Sequence, residues 1–164
     1  MLIEATHTGE TKATVDDVTR YILGKLGPTS AMKLQKLVYY CQAWSLVWDE
    51  APLFNEKIEA WANGPVVREL WEHHRGSITL RPPWSQGDES RLSGTQKETI
   101  DAVLNYYGDK SAQWLSDLTH AERPWQSARE GLGPGDRGSR EISLDEMADY
   151  YSGIAASAEE IQEA

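Results

Sequence analysis

At 164 residues and 40% hydrophobic content, the chain has the size of one ordinary domain, burying roughly two thirds of the surface its unfolded form exposes. Its formal charge of −10 is uneven: residues 1–82 carry nine Lys/Arg and ten Asp/Glu, residues 83–164 seven and sixteen, giving −1 and −9. This balance argues against nucleic acid as a general partner, because phosphate backbones are met by a basic face; an acidic half suits either a basic protein partner or a surface kept soluble by charge.

Residues 1–13 are small and polar and read as a flexible lead-in, so the domain is expected over 14–164. No run in the chain reaches the roughly twenty apolar residues of a membrane span, and Met1–Lys12 lacks the apolar run of a signal peptide. The single Cys41 excludes an internal disulfide and fits a reducing compartment. A cytoplasmic protein without a membrane partner is expected.

Thr14 caps a first helix, with Asp17 favourably placed near its positive end; Val15, Val18, Ile22 and Leu26 keep helical spacing until Gly27-Pro28 stops the run. Ser30 then caps a long central helix over Ala31–Trp48. It is apolar almost all round, as expected of a helix enclosed by others, and Lys33, Gln35, Lys36 and Gln42 make its polar side. Lys57–Trp61 alternates weakly and reads as extended, and Gly64-Pro65 reads as the opening of a helix that ends at Gly76. Ser77–Gly94, rich in Pro, Gly and Ser, reads as a surface excursion with Ile78–Leu80 extended.

Thr95 or Ser93 caps the next helix, which runs to Gly108; a shorter one spans Ser111–Leu118, and another short turn ends near Glu130. Gly131–Arg140 holds four Gly and one Pro among charges and reads as a mobile loop. Ser143 and Glu146 form a capping box for a last helix carrying Leu144, Met147, Tyr151, Ile154, Ala158 and Ile161. The pattern defines a mainly α, single compact multi-helix domain with a long central helix. Whether its extended segments pair as one short β-hairpin is open at this level.

Candidate chemistry is sparse. His73 and His74 are adjacent and so point to different helix faces, no Cys pair supplies thiolates, and no metal site is expected. Cys41 sits mid-helix on the apolar stripe, where burial makes a thiol inert. No phosphate-binding loop, dinucleotide fingerprint or nucleophile elbow occurs, so neither catalytic residues nor a cofactor are expected. The pairs Tyr39-Tyr40, Tyr106-Tyr107 and Tyr150-Tyr151 can each bridge core and solvent, since adjacent helical residues point about 100° apart. Trp61 with Gly64-Pro65 reads as a mechanical lock, and Lys33 and Lys36, read as exposed, are the candidates for contact with a partner.

The segment Lys33-Leu34-Gln35-Lys36-Leu37-Val38-Tyr39-Tyr40, then Pro52-Leu53-Phe54, Glu59-Ala60-Trp61, Gly64-Pro65-Val66-Val67, and later Glu122 with Pro124-Trp125, resembles in order and spacing the Panacea domain, the SocA-like antitoxin domain, over most of residues 15–155. The resemblance implies a helical antitoxin that neutralises a cognate protein toxin by direct contact, with related proteins occurring in prophages. It marks Lys33, Leu34, Gln35, Lys36, Leu37, Tyr39, Tyr40, Trp61, Gly64, Pro65, Val66 and Trp125 as family positions, mainly structural. The alternatives are a proteolytic adaptor that hands the toxin to a protease, as in one relative, and a small hydrolase using His120 or His74. Two departures stand out: Ala62-Asn63 in place of an aromatic before Gly-Pro, and the glycine-rich 131–140 loop.

Overall fold

The computed structural model describes residues 11–163, so the lead-in up to residue 10 and the side chain of Ile161 lie outside the described residues. Among the described residues, seven α-helices and two small antiparallel strand pairs make a mainly α fold. In chain order these are α1 (Val15–Leu26), β1 (Thr29–Ser30), α2 (Ala31–Trp48), β2 (Ile58–Trp61), β3 (Gly64–Val67), α3 (Arg68–His74), β4 (Thr79–Leu80), α4 (Gly94–Tyr107), α5 (Ala112–His120), α6 (Arg123–Ala128) and α7 (Leu144–Glu163).

Local chemistry sets most helix starts. Thr14 and Asp17 form a reciprocal capping box at α1, Ser93 and Gln96 another at α4, and Ser30 and Ser111 accept the third amides of α2 and α5. Each such cap contributes about 1 kcal/mol by satisfying an amide with no intrahelical partner. Ser143 accepts from the Glu146 amide at 3.1 Å and starts α7.

Helix α2 is the centre: α4, α5, α7 and β3 pack around it. Its Leu34, Leu37, Val38, Tyr40, Cys41 and Ala43 have no solvent exposure. Its polar side is enclosed as well, contrary to the sequence expectation for Lys36, which is only 2% exposed. The reason is that the β2–β3 hairpin and the loop before it lie over that side, and the two glutamines there bond to their backbone. The Gln35 amide accepts from Val67 N at 2.9 Å and donates to Val67 O at 3.3 Å. One turn pair further along, Gln42 accepts from the Leu53 and Phe54 amides and donates to Phe54 O. These glutamines thus replace a strand neighbour, leaving few backbone groups unpaired.

The hairpin corrects a second expectation. Gly64-Pro65 begins strand β3, paired Trp61↔Gly64 and Ala60↔Pro65, and the helix starts only at Arg68. Gly64 has φ +127°, a conformation that strongly favours glycine. A Cβ there would also lie 2.4 Å from Lys36 Cε. The glycine therefore serves two needs, the turn out of β2 and the passage of the Lys36 stem.

Ser77–Gly94 is less superficial than its composition implies, because Leu80, Trp84 and Leu92 are buried. Thr79–Leu80 pairs with β1, the Trp84 indole donates to Asp16 Oδ1 at 2.9 Å, and the Asp88 amide donates to Asp17 Oδ1 at 2.7 Å. The acidic first turn of α1 thus anchors the excursion. The 131–140 loop is likewise tied down, by Arg129: this buried guanidinium donates to the carbonyls of Ala60 (3.1 Å), Gly133 (3.1 Å) and Asp136 (2.6 Å).

Candidate functional site

Beside the hairpin lies a cleft of about 790 Å³, formed between the start of α2, the β2–β3 turn, α3 and the 137–139 segment. This volume is in the range of sites that hold a small ligand or a peptide side-chain group. Lys36, Arg68, Arg75 and Arg137 line it, together with Trp61 and Trp71, and no Asp or Glu does. For a chain with 26 acidic residues against 16 basic ones, that is a local inversion of charge.

Each wall has an identifiable support. Trp61 and Trp71 meet edge to face at 5.4 Å, and the Arg68 guanidinium lies 6.0 and 5.7 Å from their ring centres. Arg75 lies 5.6 Å from the Trp71 ring. The Trp61 indole donates to Glu59 Oε1, while its carbonyl accepts from the Trp125 indole, both at 2.8 Å. Ser116 Oγ donates to Asn63 O at 2.8 Å. Helices α5 and α6 therefore hold the hairpin by its carbonyls, and with it one cleft wall. A second hollow, about 660 Å³ beside Arg123 and Tyr150, has its one cation matched by Asp149 at 4.0 Å.

Lys36 is the unusual member. No described residue gives its Nζ a hydrogen bond or an ion pair, although the side chain is almost wholly buried. Burial pushes its pKa down to about 8. Lys33, half-buried, instead donates to Gly108 O at 2.6 Å, satisfying the C-terminal end of α4. The two lysines named from the sequence are thus separated by the structure, one bound to a helix end and one lining the cleft.

The remaining family positions divide in the same way. Gln35, Lys36, Trp61 and Val66 line the cleft, and the end of the Lys36 side chain passes beneath Gly64. Leu34, Leu37, Tyr39 and Tyr40 are core. Tyr39 and Tyr40 do not bridge to solvent as the pair pattern implies: both rings are buried, whereas Tyr106 is exposed beside buried Tyr107. Tyr40 and Tyr151 donate to Glu122 Oε1 at 2.7 and 2.6 Å, with Tyr39 and Tyr151 hydroxyls 3.0 Å apart. Burial raises the Glu122 pKa, an effect the two donated bonds partly oppose. The position of this network was not legible locally, because its members come from α2, α7 and the turn between α5 and α6.

The histidines take packing roles. His74 is buried with its Nε2 3.0 Å from Gln35 Nε2, and His120 stacks on Trp125 at 4.1 Å. Burial lowers both pKa values, with Lys36 adding to the effect at His120. His73 meets Asp16, its Nδ1 lying 3.1 Å from Oδ1. Burial raises the Cys41 thiol pKa strongly, as expected for its place in the core. Among the described residues no group of three potential ligands could hold a metal ion, and no helix is long and apolar enough to cross a membrane.

The chain is thus a mainly helical domain whose signature residues build both a polar-cored bundle and a basic, aromatic cleft. Residues 34–126 match the family described as antitoxin SocA-like, Panacea domain, and the chain belongs to that family. Membership gives it an antitoxin-like role in general and implies a toxin as partner. No curated protein and no solved structure matches it.

Proposed function

We propose that this chain is a cytoplasmic, non-enzymatic antitoxin, residues 14–164 acting as one domain, which silences a cognate protein toxin encoded beside it by binding it directly. The observation that carries this reading is the convergence of four family positions, Gln35, Lys36, Trp61 and Val66, on an open cleft and not only on the core. A signature that served folding alone would have no need of an unpaired buried cation there, since burying a charge costs stability. Half-buried indole rings such as Trp61 and Trp71, and arginines, are also residue types favoured as anchors between proteins. No cofactor or nucleic acid enters this function.

Co-expression tests it. The neighbouring gene is expressed alone and with this chain, and growth is followed together with the toxin's abundance. Rescue with the toxin still present at its original level is expected. Rescue with the toxin depleted would replace direct neutralisation by delivery to a protease, and absence of rescue would remove the antitoxin reading.

A further inference from the structure

The cleft differs from the rest of the protein in three ways that bear on what it binds. Its lining holds four cations and no carboxylate, whereas the chain as a whole is strongly acidic. Its innermost cation, Lys36, is 2% exposed and has no partner among the described residues. Its lining is partly apolar: Met32 lies in it at 42% exposure, and Ile78, 85% exposed, follows the lining residue Ser77 in the chain.

A largely desolvated ammonium without a described counter-charge is an incomplete arrangement, and an incoming carboxylate would complete it with a charge-assisted hydrogen bond. Arg75 stands over the Trp71 face, which holds its guanidinium plane ready for a further carboxylate at low entropic cost, whereas Arg68, over the same ring, is already paired with Glu72 at 3.5 Å. A free inorganic anion would leave the exposed Met32 and Ile78 unused. A polypeptide carrying acidic and apolar side chains would cover both.

From this geometry we infer that the cleft receives an acidic, partly apolar segment of the partner protein, one of whose carboxylates reaches Lys36. The inference rests on the antitoxin reading and adds the part of the toxin that is gripped. Gly64 is a positioning residue in this scheme, since only a residue without Cβ lets the Lys36 stem pass. The acidic surface of the second half of the chain then has the separate effect of repelling acidic segments from everywhere but the cleft.

The full chain and its Lys36→Met variant are titrated with two synthetic peptides, followed by tryptophan fluorescence and calorimetry. One alternates Glu and Leu residues with Gly spacers; the other has Gln for every Glu. The wild type is expected to bind the acidic peptide at least about tenfold more tightly, the equivalent of about 1.4 kcal/mol, and the variant is expected to lose that preference while remaining folded by circular dichroism. Equal affinity for both peptides, an unchanged preference in the variant, or displacement of the acidic peptide by inorganic phosphate or oligothymidylate at lower concentration would each overturn the inference. Binding of the neighbour-encoded toxin to wild type and variant with equal affinity would overturn the cleft alone. A retained peptide preference in a chain that rescues no toxicity would instead remove the antitoxin reading alone.

Discussion

Replacing Lys36 by Met keeps the length of the stem beneath Gly64 but deletes the ammonium. Burial holds this group's pKa at about 8 in the folded chain, against about 10.4 in an unfolded one, and that difference corresponds to roughly 3 kcal/mol of cost for keeping the charge at neutral pH. The unfolded chain binds the extra proton between about pH 8 and pH 10.4, so the Lys36 contribution to stability rises with pH through that window. The charge penalty is fully present below it and absent above it. The Met variant has no such group to titrate. Urea unfolding at neutral pH should therefore show the variant more stable by about 1–3 kcal/mol, with the advantage shrinking toward zero near pH 10. A variant less stable than wild type at neutral pH, or an advantage that does not change with pH, would refute the placement of a charged, unpartnered Lys36. A gain of stability accompanied by loss of partner binding is the pattern expected of a residue retained for binding and not for folding.

Three further outcomes follow from the same packing. Gly64→Ala should destabilise by roughly 2–4 kcal/mol in urea unfolding through its positive φ and its clash with Lys36 Cε, and part of that loss should be regained in the double variant with Lys36→Ala. Glu122→Ala leaves the Tyr40 and Tyr151 hydroxyls without their acceptor and should cost about 2–4 kcal/mol. Glu122→Gln keeps an acceptor and removes the charge; because burial raises this group's folded-state pKa, wild type loses stability as pH rises from about 4.3, and the Gln variant should lose less over the same range in a pH series of melts. Arg129→Met removes three donated bonds to Ala60, Gly133 and Asp136 and should raise amide exchange selectively across residues 131–140, while α2 stays protected.

Helix starts were legible because caps are local chemistry: Ser30 and the apolar run after it place α2 at Ala31–Trp48 without any knowledge of neighbours. Gly64-Pro65 was misleading for the opposite reason. Proline at a helix start and proline in a short hairpin strand look alike locally, and only the distant Gln35, bonded to Val67, shows which applies. Lys36 reads as exposed in the sequence because a polar stripe on a helix normally faces water. Here it faces the hairpin, a contact made between segments about thirty residues apart. Arg129, a lone cation before a glycine-rich stretch, gave no sign that it would gather three carbonyls. The family signature left hidden which of its positions build the core and which line the cleft.

The most direct test is calorimetric titration of the purified chain with the purified product of the adjacent gene, at physiological salt and without protease. A saturable complex is predicted, in which the toxin remains intact and its activity falls in step with occupancy. Full toxin activity in the presence of excess chain, with no heat of binding, would contradict direct neutralisation.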